Sequence, residues 1–364
     1  MLEDLQKTSL HAVHQDLGAR LVPFAGWEMP LLYSSILEEH QAVRTNAGVF
    51  DISHMGQLVF EGAAELLLAT LEQLFTNSVA KLEDSEGQYT LMVNENGGVI
   101  DDLLLYRESG TRYFAVVNAA KMTEDLAWIR SHLPAEISLT DQSSGSSALA
   151  LQGPNSLDFL EKLGLPVEAP PRNGLARFDV PEGTIYLCRT GYTGEDGVEL
   201  FLPNALAPKV FQQLISLGVT PCGLASRDSL RLESCFPLNG SDLSPEFTPL
   251  ASGLKPFVNL EKSFFGSQAL HAQIEAGGPS ARLAAIKYLE KGPPPRPGYP
   301  VQDIEGREVG TLTSAVPSPT LGTGIAMAYL PTALAKPGTR LNVLVRNRAV
   351  AAEVVRKPFY RRQK

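Results

Sequence analysis

The pattern of apolar and polar residues in the first half of the chain switches between the two regular periods. Alternating or continuously apolar runs in "QLVFEG" (57–62), "VIDDLLLY" (99–106) and "YFAVVN" (113–118) predict β-strands. Apolar residues recur at helical spacing in "EDLAWIRSHLP" (124–134) and "NSLDFLEKLG" (155–164). The mixture of these segments predicts an α+β fold.

The segment "RESGTR" (107–112), between two of these strands, has the composition of a hairpin turn. A hairpin would place Asn118 on the strand beside the one that carries Asp102. Because side chains alternate along a strand, Asp102, Leu104 and Tyr106 share one face and Asp101 points to the other.

Two adjacent carboxylates within an apolar strand need a reason, since burying one unpaired charge costs several kcal/mol. One interpretation is a solvated turn or capping acid after "NGG" (96–98), and we expect it to hold for one of the pair. The other interpretation is an acid beside Tyr106 in a cleft, where it handles a proton or orients a heterocycle.

A second acidic stretch is "RTGYTGEDGVELFL" (189–202). It predicts a long hairpin in which the glycines supply positive φ and Glu195 and Asp196 stay solvated. Glu199 differs, because alternation within "VELFL" places it beside Phe201 and opposite the valine and leucines. A glutamate there is a candidate for binding a cyclic amidine or guanidine edge through two hydrogen bonds.

The second half of the chain begins with helical patterns at 204–218 and 224–236. Arg227 and Arg231 are four residues apart and share a helix face, so they repel unless acids or an anionic ligand neutralise them. A Gly/Pro break near residue 278 predicts two domains, 1–278 and 279–364. Strand-rich segments with frequent turns predict a small antiparallel barrel or sandwich for the second.

The composition bears on the partners, the location and the metal content that we expect. The 364 residues are 44% hydrophobic and 20% charged, with a net charge of -9, which argues against nucleic acid or an anionic membrane as partner. Without a membrane-length apolar run or a signal pattern, we expect a cytoplasmic protein. Three scattered cysteines predict core thiols, and no metal-ligand spacing appears in the sequence, so we expect no metal site.

The last residues, "VVRKPFYRRQK" (354–364), place several basic side chains on an otherwise acidic chain. Such a run is usually a solvated, mobile tail. It could instead bind a polyanionic ligand or steer an acidic partner.

Six ordered motifs spread over about nine tenths of the chain resemble the aminomethyltransferase, or T-protein, family of the glycine cleavage system. They are "LGARLVPFAGWEMPLLY", "AVRTNAGVFDISHMG", "NENGGVIDDLLLY", "RTGYTGEDGVEL", "CGLASRDSLRLE" and "TSAVPSPTLGTGIAMAYL". The resemblance implies a three-domain cloverleaf of α+β layers with a C-terminal antiparallel β-barrel around a central folate channel. It also implies the transfer of a methylene group from the aminomethyl-lipoyl arm of H-protein to tetrahydrofolate, with release of ammonia and formation of 5,10-methylenetetrahydrofolate.

Matching motif by motif, the resemblance implies a catalytic, folate-contacting role for Asp102. It assigns Glu199 to the pterin edge and Arg227 to the anionic part of the folate. A tail residue also reaches the ligand in the family, and we assign it to Arg362. The remaining positions implied to line the folate site are Tyr89, Leu104, Tyr106, Asn118 and Tyr192.

The chain departs from the family pattern at Ser226, in "ASRD" where relatives have "GARD", and at Asn239, in "LNGSDL". Two alternatives share the fold: a folate-binding iron–sulfur assembly module and a folate-dependent demethylase. The first typically carries a cysteine in the loop equivalent to "GYTGE", and this chain has none there. A demethylase, which needs no carrier protein, stays open on sequence alone.

Overall fold

The computed structural model describes residues 5–165 and 168–362. The chain divides into two compact units, and neither is continuous in sequence. The first comprises the described residues up to Thr90 together with Asp102–Arg227; the second comprises Leu91–Asp101 and the described residues from Asp228 onward. The predicted boundary near 278 is a different division, and it stays a prediction.

A six-stranded sheet forms one layer of the first unit. Its order is β10-β11-β12-β9-β3-β13, and its pairs are antiparallel except for the parallel pair of β3 and β13. The strands are β3 (Gly48–Asp51), β9 (Ser146–Gln152), β10 (Leu175–Val180), β11 (Gly183–Cys188), β12 (Gly197–Pro203) and β13 (Thr220–Cys222).

A five-stranded sheet has the order β5-β6-β7-β4-β8. Its strands are β4 (Gly56–Glu61), β5 (Glu86–Val93), β6 (Val99–Ser109), β7 (Arg112–Val117) and β8 (Ser138–Asp141). β6 and β7 form the predicted hairpin, with Leu104 opposite Val116. Two shorter strands, β1 (Arg20–Phe24) and β2 (Trp27–Leu32), pair separately.

The α-helices of the described residues include four that begin and end within about three residues of the positions predicted at 124–134, 155–164, 204–218 and 224–236. The α-helices are α1 (His11–Asp16), α2 (Ile36–Thr45), α3 (Ala64–Leu74), α4 (Met122–His132), α5 (Ser156–Lys162), α6 (Ala207–Ser216), α7 (Leu224–Glu233), α8 (Pro249–Ser252) and α9 (Ser267–Glu275). One core of the first unit lies where α5 and α6 pack on the six-stranded sheet, around Val198, Leu200 and Leu202. The predicted inward face of "VELFL" is therefore confirmed.

The opposite face of the six-stranded sheet packs on the five-stranded sheet through aromatic rings. The ring of Phe114 on β7 is stacked on Tyr186 of β11, with 4.5 Å between centroids, and meets Phe201 of β12 edge-on at 5.2 Å. Because Phe114 is directly opposite Tyr106 in the β6/β7 hairpin, the Tyr106 face of β6 is the face turned toward the six-stranded sheet.

The second unit contains a closed antiparallel barrel with the strand order β14-β17-β16-β15-β18-β19. Its strands are β14 (Ala281–Tyr288), β15 (Pro300–Gln302), β16 (Glu308–Ser318), β17 (Thr323–Pro331), β18 (Arg340–Val345) and β19 (Arg348–Val355). Alternate residues such as Ile286, Val343 and Val354 fill the interior. The α+β class with a C-terminal barrel is confirmed, and of the two predicted alternatives the barrel is correct.

The structure also bears on the predictions about the cysteines and about membrane-spanning segments. Cys188 and Cys222 are buried, and Cys235 is partly buried, so they are free core thiols as predicted. Within the described part of the chain, no helix combines the length and apolar composition needed to cross a membrane.

Candidate active site

One face of β6 presents the predicted catalytic carboxylate. Asp102 is half-buried, and it shares this face with half-buried Leu104 and fully buried Tyr106. Four residues of extended strand separate the two ends of this row by about 13 Å. The prediction that alternation groups these three side chains agrees with the structure.

The Asp102 carboxylate is fixed by two neighbours. The Tyr89 hydroxyl donates to Asp102 Oδ2 at 2.8 Å, and Asn118 Nδ2 donates to Asp102 Oδ1 at 3.1 Å and to the Asp102 carbonyl oxygen at 2.9 Å. A carboxylate oxygen has two lone pairs, so an oxygen that accepts one hydrogen bond can also accept from a ligand donor. Asn118 follows the last residue of β7 rather than lying within the strand, which is a small correction to the predicted position.

Asp101 contradicts the expectation of a solvated acid. Its side chain is fully buried, whereas Asp102 is the more exposed of the two. Asp101 also belongs to the second unit and Asp102 to the first.

At the other end of the row, hydroxyl groups connect β6 to β12. Tyr106 Oη lies 2.7 Å from Thr190 Oγ1, and Thr190 Oγ1 donates to Glu199 Oε2 at 2.9 Å. Because Thr190 donates its single hydroxyl proton to the carboxylate, the Tyr106 hydroxyl donates to Thr190 Oγ1. Sequence reasoning did not single out Thr190, although the threonine next to a strand that bears a glutamate was a signal.

Glu199 is almost fully buried, and burial raises the pKa of its carboxyl, although Arg227 and the Thr190 hydroxyl act in the opposite direction. Burial likewise lowers the pKa of Arg227, and Glu199 opposes that shift. The guanidinium carbon of Arg227 lies 5.1 Å from the ring centroid of Tyr192 and 5.9 Å from that of Phe50. A buried acid and a cation in contact with aromatic rings form a site suited to a polar, planar ligand.

Hydrogen bonds hold the helix that carries Arg227 and the loop that precedes the strand of Glu199. Glu39 Oε2 accepts from Gly223 N at 2.8 Å and from Ser226 Oγ at 2.9 Å, which fixes the first turn of α7 just before Arg227. Ser226, the departure from the family pattern, therefore has a structural role. Gln152 Nε2 donates to the Thr190 carbonyl oxygen at 3.1 Å and supports the loop before β12.

The loop 189–196 corrects two expectations. Glu195 is buried and Asp196 is half-buried, and both are paired: Arg44 Nη1 lies 2.8 Å from Glu195 Oε1 and Arg189 Nη2 lies 3.0 Å from Asp196 Oδ2. Of the three glycines, only Gly194 has a positive φ, at 82°.

The other two glycines are required by close packing instead. A Cβ at Gly191 would lie 1.8 Å from Gln152 Oε1, and one at Gly197 would lie 2.5 Å from Gln152 Nε2. The buried Gln152 side chain therefore occupies the space that larger residues would need.

The predicted site residues thus fall into two groups on one face of β6. Asp102 lies with Tyr89 and Asn118, and Tyr106 lies with Thr190 and Glu199. Arg227 and Tyr192 belong beside the second group. Arg362 is an exposed residue of the second unit, and its predicted folate contact stays a prediction.

Comparison with protein families defines the class of this chain. Residues 10–262 match the GCVT N-terminal domain, and residues 282–361 match the glycine cleavage T-protein C-terminal barrel domain. The second match coincides with the closed barrel, so the chain has the two-part architecture of GCVT-type proteins.

Full-length relatives make the family specific. An aminomethyltransferase from Desulfitobacterium hafniense is 42% identical over 369 residues, covering all of both chains. One from Parasynechococcus marenigrum is 45% identical over 371 residues, covering 98% of this chain and 99% of the relative. The crystal structure of the glycine cleavage system aminomethyltransferase T from Bartonella henselae is 33% identical, with a TM-score of 0.91 over 98% of each chain. The chain belongs to the aminomethyltransferase family of the glycine cleavage system, and it is an enzyme.

Proposed function

We propose that this aminomethyltransferase moves the methylene group of the aminomethyl-lipoyl arm of H-protein to tetrahydrofolate. The carbon gives up its bonds to the lipoyl sulfur and to nitrogen and gains bonds to N5 and N10 of the folate. The two protons displaced from N5 and N10 complete the lipoyl thiol and ammonia, and the carbon product is 5,10-methylenetetrahydrofolate.

The observation that carries this proposal is the pair of oriented carboxylates in the first unit. Asp102 is half-buried, whereas Glu199 is nearly enclosed and held by a hydroxyl. A folate offers ring N–H donors to acids and carbonyl and carboxylate oxygens to a guanidinium. The donors and acceptors of Asp102, Glu199 and Arg227 complement such a molecule.

In this proposal Asp102 orients the folate rather than acting as a nucleophile. Its two oxygens accept from Tyr89 and Asn118, so the carboxylate cannot rotate freely and is held in one orientation. Holding a nitrogen nucleophile in line with the carrier's carbon is a positional contribution to the rate. The Asp102 carboxylate is also the group available to receive a proton from the folate.

Glu199 and Arg227 bind in this proposal, and their contributions are separable. Glu199 accepts from the amidine-like edge of the pterin, and Arg227 donates to an acceptor elsewhere on the folate. Leu104, Tyr89 and Tyr192 supply apolar and aromatic surface for the rings. For the tail, we propose that Arg362 contacts the folate; the competing role is steering of H-protein by surface charge.

The test is a coupled assay with aminomethylated H-protein and tetrahydrofolate that measures both methylenetetrahydrofolate and ammonia. We expect stoichiometric formation of the two products, dependent on both substrates. Folate binding with no transfer would instead indicate a binding module. One-carbon transfer from a free amine, with no measurable binding of H-protein, would indicate a demethylase.

A further inference from the structure

His54 lies in the short connection between the two facing sheets of the first unit. It follows β3 of the six-stranded sheet and precedes β4 of the five-stranded sheet. Its side chain is 5% exposed, and its ring meets Phe24 edge-on, with 5.5 Å between centroids. Neither the strand pattern nor the family motifs assigned it a role.

The connection that carries His54 is fixed from several sides. The Ile52 amide donates to the Ala148 carbonyl oxygen at 2.8 Å, and the Ala148 amide donates to Ser53 Oγ at 3.0 Å. Asp51 Oδ1 accepts from the Ser53 amide at 2.9 Å. A loop with this many bonds holds the imidazole in one place, as a preorganised binding group requires.

Although the loop backbone is well bonded, the His54 Nδ1 atom is buried and has no hydrogen-bond partner among the described residues. Arg227 Nη1 is in the same condition. A buried polar atom left without a partner costs about 1–3 kcal/mol, so native structures seldom leave such an atom without a reason. A bound molecule that supplies an acceptor would remove both penalties.

The charge of Arg227 also acts on His54. Burial lowers the pKa of His54 to about 4; Asp51 opposes this shift and Arg227 reinforces it. The imidazole is therefore neutral at physiological pH and can donate from Nδ1 without adding a second positive charge beside the guanidinium.

We propose that His54 is a further ligand-positioning residue, and that its Nδ1–H and the Nη1–H of Arg227 donate to the same carbonyl or carboxylate oxygen of the bound folate. This inference rests on the proposed function, because it takes tetrahydrofolate as the ligand. It adds a neutral donor to a site that already contains the charged groups Asp102, Glu199 and Arg227.

The geometry of amide side chains provides a direct test. In His54→Asn the amide nitrogen can occupy the place of Nδ1, whereas in His54→Gln it reaches the place of Nε2. We expect calorimetry with tetrahydrofolate to give a dissociation constant close to wild type for His54→Asn and about 3- to 10-fold weaker for His54→Gln and His54→Ala. His271→Asn, at an exposed histidine, is the matched control and should bind as wild type does.

Two further measurements separate positioning from packing. Between pH 5.5 and 8 the ratio of the wild-type to the His54→Ala dissociation constant should stay constant, because a neutral imidazole does not titrate there. In wild-type protein, the ¹⁵N chemical shift of His54 Nδ1 should move on folate addition by more than that of Nε2. This measurement needs no substitution, so it decides the matter even if the variants do not fold.

The inference is wrong if wild type binds tetrahydrofolate while all three His54 variants bind equally well. It is also wrong if His54→Gln binds and His54→Asn does not, or if the Nδ1 shift stays constant on binding. If wild type does not bind tetrahydrofolate at all, the proposed function fails first, and that result is distinct from the others.

Discussion

Replacing Thr190 with valine would test whether the hydroxyl chain from Tyr106 positions Glu199. Valine has nearly the shape of threonine but lacks the oxygen, so the substitution removes both bonds of the chain. The Glu199 carboxylate loses its donor at 2.9 Å, and the fully buried Tyr106 hydroxyl loses its acceptor at 2.7 Å.

The expected magnitudes follow from these two losses. A hydrogen bond to a charged group contributes about 1.5–3 kcal/mol, and a buried hydroxyl without its partner costs about 1–3 kcal/mol. Because the two effects share one atom, they should not add fully, and we expect the free energy of unfolding to fall by about 2–4 kcal/mol. Tetrahydrofolate affinity should fall about tenfold, as Glu199 is no longer held in one orientation.

The assay combines denaturant unfolding with calorimetric titration of tetrahydrofolate. Thr190→Ser retains the hydroxyl and should restore most of the affinity. Thr320→Val is the matched control, because the Thr320 hydroxyl donates to a different buried acid, Glu233, at 2.8 Å. It should lower stability without weakening folate binding.

A double-mutant cycle with Tyr106→Phe should give a coupling energy of about 0.5–3 kcal/mol in stability, as expected for side chains in contact. The positioning account would be refuted if folded Thr190→Val bound tetrahydrofolate as tightly as both wild type and Thr320→Val. Loss of stability alone would mean that the chain of hydroxyls is structural.

Three further predictions concern charged groups. Asp102→Asn should lower the turnover number more than it weakens folate binding. Asp101→Asn should chiefly lower the midpoint of thermal unfolding. Equal losses of turnover in the two folded variants would contradict this. Arg227→Ala should weaken folate binding at least tenfold, and calorimetry at low and high salt should find the deficit largely unchanged because a half-buried charge is poorly screened. Burial alone would raise the pKa of Asp51, but bonds from His14, Ser53 and Thr8 hold it below its ordinary value. Asp51 should therefore stabilise the fold above a pH of about 4 and lose this effect as pH falls further, so denaturant unfolding of Asp51→Asn should differ from wild type at pH 7 and converge with it in acid.

Local patterns in the sequence predicted a large part of the site because strand alternation is a local property. Asp102, Leu104 and Tyr106 share a face as expected, and Glu199 is separated from the leucines of its strand by the same rule. Arg227 was recognised by its helix and motif.

What the sequence could not indicate depends on partners distant along the chain. Glu195 was expected to be solvated because its partner, Arg44, lies in α2, about 150 residues earlier. Gly191 was assigned a conformational role because Gln152 could not be placed against it in advance. His54 gave no signal, since only the structure reveals a buried nitrogen without a partner.

The interleaving of the two units has a consequence for synthesis on the ribosome. Residues 91–101 have partners in their unit that lie far along the chain: the Val99 amide donates to the Phe247 carbonyl oxygen at 3.0 Å, and Asn239 Nδ2 donates to the Ile100 carbonyl oxygen at 3.3 Å. At roughly 5–20 residues per second, these partners emerge several seconds to half a minute after the segment itself. Residues 91–101 therefore cannot complete the packing of their unit during that time, so we expect the nascent chain to be vulnerable to chaperone capture until the second half has been translated.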